Sequence, residues 1–190
     1  MPRTLKLLLL LLVPCFASAQ TKYADPDSPA VQGAARAALP HAKIVDIVGM
    51  TSGIQGLLQD LKAKVTEHEV KIELDADVLF DFDKYSLRPE AADSLRKVGE
   101  VAKNYGNSPV LIEGHTDSKG SPPYNMKLSD NRALSVKHWL MQNASVSAAR
   151  ISTRGWGETK PVAPNTNPNG SDNPAGRQKN RRVEITIRTG

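Results

Sequence analysis

A chain of 190 residues has room for one ordinary domain and its extensions. Charged residues make up 24% and aromatics 5%, which suits a soluble surface over a modest core. The formal net charge is +5, yet no Lys/Arg-rich stripe with interleaved aromatics is present, so nucleic acid is set aside as a partner.

Residues 1–19 read as a secretory signal. Arg3 and Lys6 form the charged start, Leu7 to Val13 the apolar centre, and Ala17-Ser18-Ala19 a small-residue cleavage site. The apolar stretch is too short to span a bilayer. Cys15 is the only cysteine, and Pro14 before it departs from the small residue that lipoprotein signals carry. Cleavage after Ala19 is therefore expected, leaving no cysteine for a disulfide.

Residues 20–41 hold three prolines and many alanines and read as a flexible tether. Residues 42–68 are expected to form a small strand-rich extension. Ile44, Val45, Ile47 and Val48 suit a strand, and Leu61, Ala63 and Val65 alternate, as do Val70, Ile72 and Leu74. Thr66-Glu67-His68 supplies the hairpin turn. The spacing of Ile54, Leu57, Leu58, Leu61 and Val65 fits a helix as well, but the hairpin is preferred. At most four strands fit here, too few for a transmembrane barrel.

Val78 to Phe82 is expected to continue the sheet. Asp75, Asp77, Asp81 and Asp83 cluster there, but a calcium loop would need a glycine at its midpoint and a glutamate at its end, so no metal site is expected. Pro89 opens a helix carrying Ala92, Leu95, Val98, Ala102 and Tyr105 at helical spacing, and Gly106 stops it.

The organising stretch is 110–132. Val110 to Ile112 reads as a short buried strand ending at Glu113-Gly114; a polar turn with Gly120 and Pro122-Pro123 follows, and then a helix. Ligand sites in α/β sheets lie at this carboxyl edge. Asp117 sits in the turn. On the helix, Asn125, Ser129 and Arg132 fall on the arc that carries Tyr124, Leu128, Ala133, Val136, Trp139 and Leu140. A buried arginine calls for a carboxylate. Arg132 is then either one half of an internal ion pair with Asp117 or Glu113, or stands beside Asp117 as a receptor for a zwitterion.

After that helix, Ile151 to Gly155 reads as a strand. Residues 164–176, nearly all Asn, Pro, Gly, Ser, Thr and Asp, read as an inserted loop. Val183 to Ile187 alternates and is expected to close the sheet with one exposed face.

Four stretches, in this order, carry a family resemblance. They are Val78-Leu79-Phe80-Asp81-Phe82-Asp83, Ile112-Glu113-Gly114-His115-Thr116-Asp117 with Gly120, Asn125 with Leu128-Ser129 and Arg132-Ala133, and Asn180-Arg181-Arg182-Val183-Glu184-Ile185. Residues 69–190 thereby resemble the OmpA C-terminal-like (OmpA/MotB-type) peptidoglycan-associating domain. The resemblance implies an α/β fold: a sandwich of order β-α-β-α-β-β, a mixed sheet with helices on one side, preceded by the small strand extension. It also implies non-catalytic binding of peptidoglycan through the diaminopimelate of its stem peptide. Asp117 would accept from the distal ammonium and Arg132 would fork onto the carboxylate. Asn125, Leu128 and the Asp81-Phe82 backbone would shape the groove, supported by His115, Thr116, Gly120 and either Arg181 or Arg182. The location implied is the periplasm of a Gram-negative envelope, at the cell wall and beneath the outer membrane, with outer-membrane or other envelope proteins as further candidate partners.

An enzyme is not expected. His115, Asp117 and Ser129 lack a nucleophile elbow, since Ser129 falls in mid-helix. The pair Glu113 and Asp117 would be held ionised by Arg132, which unfits either as a general acid. No cofactor is expected. The competing reading is a protein-interaction module on the same fold.

Overall fold

The computed structural model describes residues 53–188. The proposed signal, tether and Ile44–Val48 strand lie outside them. Residues 53–60 form helix α1, which corrects the expectation of strand at this point: the helical spacing of Ile54, Leu57 and Leu58 prevails. The hairpin itself is present. Strand β1, Lys64–Val65, pairs antiparallel with β2, Glu69–Asp75, in the register Val65 to Val70. The Thr66 side chain closes the turn, accepting the Glu69 N–H at 3.1 Å.

Val78 to Phe82 does not continue the sheet. Ala76–Leu79 forms a single helical turn, α2, and Phe80 makes only an isolated bridge with Leu87. The reason is packing, since Ala76, Leu79 and Phe80 all turn into the core, which a period of two would forbid. Helix α3, Ala91–Asn104, follows, and then β3, Val110–Gly114, helix α4, Pro122–Asn143, and β4, Ile151–Gly155. A short helix α5, Pro174–Asn180, precedes β5, Arg182–Arg188.

The sheet order is β1-β2-β5-β3-β4, with only β3 and β4 parallel. Three rows cross its core face: Val70, Ile187, Val110, Ile151; then Ile72, Ile185, Ile112, Thr153; then Leu74, Val183, Gly114, Gly155. Leu95, Val98, Val101 and Ala102 of α3, with Ala133, Val136 and Leu140 of α4, join the same core. Burying each such aliphatic side chain contributes about 1.5–3 kcal/mol.

The closing strand departs from expectation. β5 lies in the middle of the sheet, and its polar alternates Arg182, Glu184 and Thr186 are also buried. Glu184 accepts from Lys71 at 2.6 Å and from Arg182 at 2.8 Å. Arg182 donates further to the Asn180 and Lys160 carbonyls. Beside this cluster, Trp156 donates to Glu113 at 2.5 Å, with Arg154 and Lys160 over its ring at 3.6 and 3.5 Å. Long side chains thus roof this part of the second face.

Candidate ligand-binding groove

The third core row ends in two glycines for a steric reason. A Cβ on Gly114 would lie 2.2 Å from the Ser129 carbonyl oxygen, and one on Gly155 would lie 2.5 Å from the Asp130 nitrogen. Their absence lets the first half of α4 rest directly on β3 and β4. Ser129 locks the contact by donating to the Met126 carbonyl and accepting the Gly157 N–H, both at 2.8 Å. The Thr116 N–H donates to the Gly157 carbonyl at 2.9 Å, so the loop after β3 is fixed to the loop after β4. Gly120, at φ +99°, turns the chain so that Pro122 and Pro123 can begin α4.

A groove of about 630 Å³ opens at this edge, between α4, the loop 80–88, the loop after β3, and α5. Its charged lining comprises Asp77, Asp81, Asp83 and Asp117 against Arg88, Lys119, Arg132, Arg177 and Arg181. Four acids against five bases make a nearly neutral surface, unlike the single-signed field that gathers a polyanion.

Asp117 is buried at the groove floor. Its Oδ1 accepts the Lys119 N–H at 2.9 Å, its Oδ2 accepts from Arg181 at 2.9 Å, and Arg177 Nε stands 3.6 Å away. Arg181 also forks onto both oxygens of Asp77, at 3.1 and 2.8 Å. Those bonds hold the Asp77 carboxyl below its ordinary range against the opposing effect of burial, and they raise the Arg181 guanidinium above its own. Arg177 also pairs with Asp172, and Asn173 caps its helix by accepting the Gly176 N–H at 3.0 Å.

Arg132 is 4% exposed and has no carboxylate within 4.0 Å among the described residues. Of the two readings of Arg132, the internal ion pair with Asp117 or Glu113 is not made. Nε donates to the Lys84 carbonyl at 2.9 Å, and the guanidinium lies over the Phe80 ring at 5.1 Å. Among the described residues neither terminal nitrogen has a hydrogen-bond partner. Burial is the main cause of its lowered pKa, against the pull of Asp77 and Asp83.

Of the residues expected in the site, Asp81, Phe82, Thr116, Asp117, Asn125, Leu128, Arg132 and Arg181 line one groove. Asn125 donates to Glu158 at 2.6 Å and to the Asp117 carbonyl at 3.3 Å. Three supporting residues are not in the lining: Gly120, in the turn before α4, and two on the far side of the sheet. Arg182 and His115 turn to the second sheet face, where His115 Nε2 stands 3.9 Å from Glu184. This resolves Arg181 against Arg182 in favour of Arg181, because neighbours on an extended chain point to opposite faces. It also parts His115 from Ser129, so the hydrolytic trio does not assemble. Among the described residues, no group of three or more His, Cys, Asp or Glu is placed to hold a metal ion.

The sequence reading missed Asp77, Asp83, Tyr124 and Arg177 as groove residues. Asp77 stands out in the sequence only within the aspartate cluster of a rejected calcium loop, and Arg177 lies just past the loop expected to be an insertion. The available signal was Asn173-Pro174, a cap followed by proline at a helix start.

The OmpA family model matches residues 79–174. The chain belongs to the OmpA family. It is 40% identical over 129 residues to outer membrane protein A of Bordetella avium, a match covering 68% of this chain and 63% of that protein. Over 135 residues, 71% of this chain, it is 49% identical to a stretch making up 15% of the photosystem I P700 chlorophyll a apoprotein A2 of Gloeobacter violaceus. The chain therefore spans less than two thirds of the length of both relatives. Among solved structures, the cell wall anchor of the T6SS from Pseudomonas aeruginosa superposes with a TM-score of 0.62 at 27% identity, over 72% of this chain and 97% of that one. Within this OmpA-family chain, the matched span takes in Asp117 and Arg132 but stops short of Arg177 and Arg181.

Proposed function

We propose that this groove binds peptidoglycan through the diaminopimelate of its stem peptide and performs no chemistry on it. The observation that carries the reading is Arg132, a buried guanidinium whose two terminal nitrogens have no partner among the described residues and which shares its groove with Asp117. A charge held this way is costly until an anion reaches it. A ligand carboxylate supplies that anion in the planar two-point geometry to which a guanidinium is suited.

The other pole is Asp117. An ionised carboxylate has about four acceptor positions, and two are occupied here, by the Lys119 N–H and by Arg181. The remaining two suit an ammonium. A group carrying ammonium and carboxylate on one carbon satisfies both poles together, which neither a simple acid nor a simple amine does. Asn125 and Leu128 wall the groove between them, and the Asp81-Phe82 backbone forms its rim.

In this reading the chain is a non-catalytic link of the cell envelope to its wall. Residues 69–190 form the binding domain, residues 1–19 direct export to the periplasm, and residues 20–41 are the tether. Support comes from family membership and from the likeness to a cell wall anchor.

The test is pull-down of the purified chain with sacculi, with and without free diaminopimelate as competitor. Binding that free diaminopimelate displaces, and that Asp117→Ala loses, is the expected result. A folded Asp117→Ala variant that binds sacculi like the wild type overturns the reading. Capture of an envelope protein that diaminopimelate does not disturb favours the protein-interaction module instead.

A further inference from the structure

Residues 81–86 form the tip of the loop on one bank of the groove, and all six are exposed, so no buried side chain fixes their path. The base of the loop is held by the Phe80–Leu87 bridge and by the Arg88 N–H, which donates to the Leu79 carbonyl at 2.9 Å. At the tip, the Lys84 N–H donates to the Asp81 carbonyl at 3.0 Å and closes a four-residue turn. Asp83 is the third residue of that turn and has φ +61°. A positive φ at this place ordinarily calls for glycine or asparagine, and an aspartate held there stores strain.

Two hydrogen bonds join this tip to α4. The Tyr124 hydroxyl donates to the Asp83 carboxylate, and Arg132 Nε donates to the Lys84 carbonyl at 2.9 Å. Tyr124 and Arg132 stand eight residues apart on one face of the helix, and their side chains converge on two consecutive residues of the loop. Tyr124 is 45% exposed, so packing does not force its hydroxyl onto Asp83. The bond restrains residue 83 in its left-handed conformation, and that conformation directs the chain so that the next carbonyl meets Arg132. With Nε committed there, the plane of the guanidinium is set. Its two terminal nitrogens are then presented together.

We propose that Tyr124 is a positioning residue, which acts through Asp83 and the Lys84 carbonyl to orient the Arg132 guanidinium for its ligand. The proposal rests on the reading of the groove as a stem-peptide site. Charge supports the same chain of contacts, since Asp83 favours the charged form of Arg132 against the effect of burial. Other roles for Tyr124 make other forecasts. A ring that covers the ligand would act through its apolar face, and a hydroxyl that meets the ligand would act directly. Neither effect would pass through residue 83.

Two measurements on the full chain test this. The first needs no ligand: the Arg132 Nε–H signal is followed by NMR and identified by its loss in Arg132→Lys. Tyr124→Phe keeps the ring and removes the hydroxyl, and it is expected to speed exchange of that proton with water roughly threefold to tenfold, the worth of one hydrogen bond. The second is calorimetric titration with the soluble tripeptide ending in diaminopimelate. Tyr124→Phe is expected to weaken binding by a similar factor, roughly threefold to tenfold, with little change in melting temperature. Added to Asp83→Gly, it should cost nothing further, because no carboxylate is left to hold and glycine adopts the turn freely. An unaltered Nε–H signal overturns the proposal whatever the titration gives, and so does an unaltered affinity. An equal loss with and without Asp83→Gly means that the hydroxyl meets the ligand itself, and overturns it too. If the wild type does not bind the tripeptide, the stem-peptide reading fails and the positioning role falls with it, an outcome that the wild-type titration alone tells apart.

Discussion

Two arginines are buried in this domain, and they are opposites. Arg182, 2% exposed, sits on the second face of the sheet with Glu184 at 2.8 Å and two backbone carbonyls at 3.2 Å. Arg132, 4% exposed, has one carbonyl, one aromatic face and no carboxylate. Burial alone does not distinguish an arginine that holds a fold from one proposed to meet a ligand. The distinction lies in how many of its five donors the protein satisfies.

The contrast breaks most sharply on stability. Arg182→Ala leaves Glu184 buried with Lys71 alone, and removing one partner of a buried pair costs about 3–5 kcal/mol. Chemical denaturation is expected to show that loss, with murein binding retained wherever the variant is folded. A stability change under 1 kcal/mol, on the scale of an exposed pair, contradicts the structural role given to Arg182.

Arg132→Ala should do the reverse. An interaction of this kind is worth about 2–5 kcal/mol of binding, and affinity is expected to fall roughly thirty-fold or more, each tenfold being about 1.4 kcal/mol. The melting temperature should hold or rise, because the variant removes a buried charge that no carboxylate among the described residues pairs directly. Arg132→Lys should also bind weakly, since a point charge cannot reproduce the fork. If the melting temperature and the affinity fall together, Arg132 is structural after all.

Acidity sharpens the comparison further. Burial, aided by the charge of Arg182 and opposed by Glu184, pushes the His115 imidazole down from 6.5 to about 4. Between those values the unfolded chain holds the extra proton, so stability rises with pH and is lost as pH falls through this window. Denaturation midpoints between pH 4.5 and 7 should follow that slope, and His115→Gln should flatten it. An unchanged slope in the variant assigns the pH dependence to other groups. The smallest effect belongs to Lys97, which meets Asp60 at 2.6 Å on the open surface. Lys97→Ala should change stability by less than about 1 kcal/mol and leave binding untouched.

Much of this was legible in the sequence, in proportion to how local each signal is. Val110 to Gly114, Ile151 to Gly155 and the Pro89-led helix follow from periodicity and punctuation, and they stand where expected. Asp117 and Arg132 were picked out by a charge on a packing face. Of the two relations offered for them the ion pair is not made, because the partner that Asp117 takes, Arg181, lies 64 residues away at another strand's end. The burial of Glu184 and Thr186 was hidden for a similar reason. An alternating strand exposes one face only if nothing reaches over it, and Lys71, Arg182 and Trp156 do reach over it. The loop at 164–176 has no periodicity at all. Asn180 anchors its start, accepting the N–H groups of Val162 and Ala163 and donating to the Ala163 carbonyl and the Asn165 side chain. Such long-range capping leaves no pattern in the sequence.

Gly114 and Gly155 have a mechanical consequence. Where α4 crosses these two glycines, Ser129 and Asp130 rest on the strands with no strand side chain between, one turn before Arg132. If a tethered wall pulls on Arg132, the load passes from helix backbone to strand backbone with little give. It then spreads across β3 and β4 and through the ladder from β3 to β5, the middle strand. Any residue larger than glycine at 114 or 155 would lift the helix and insert a compliant spacer in that path. The grip would then loosen under force even where equilibrium binding at rest is barely changed.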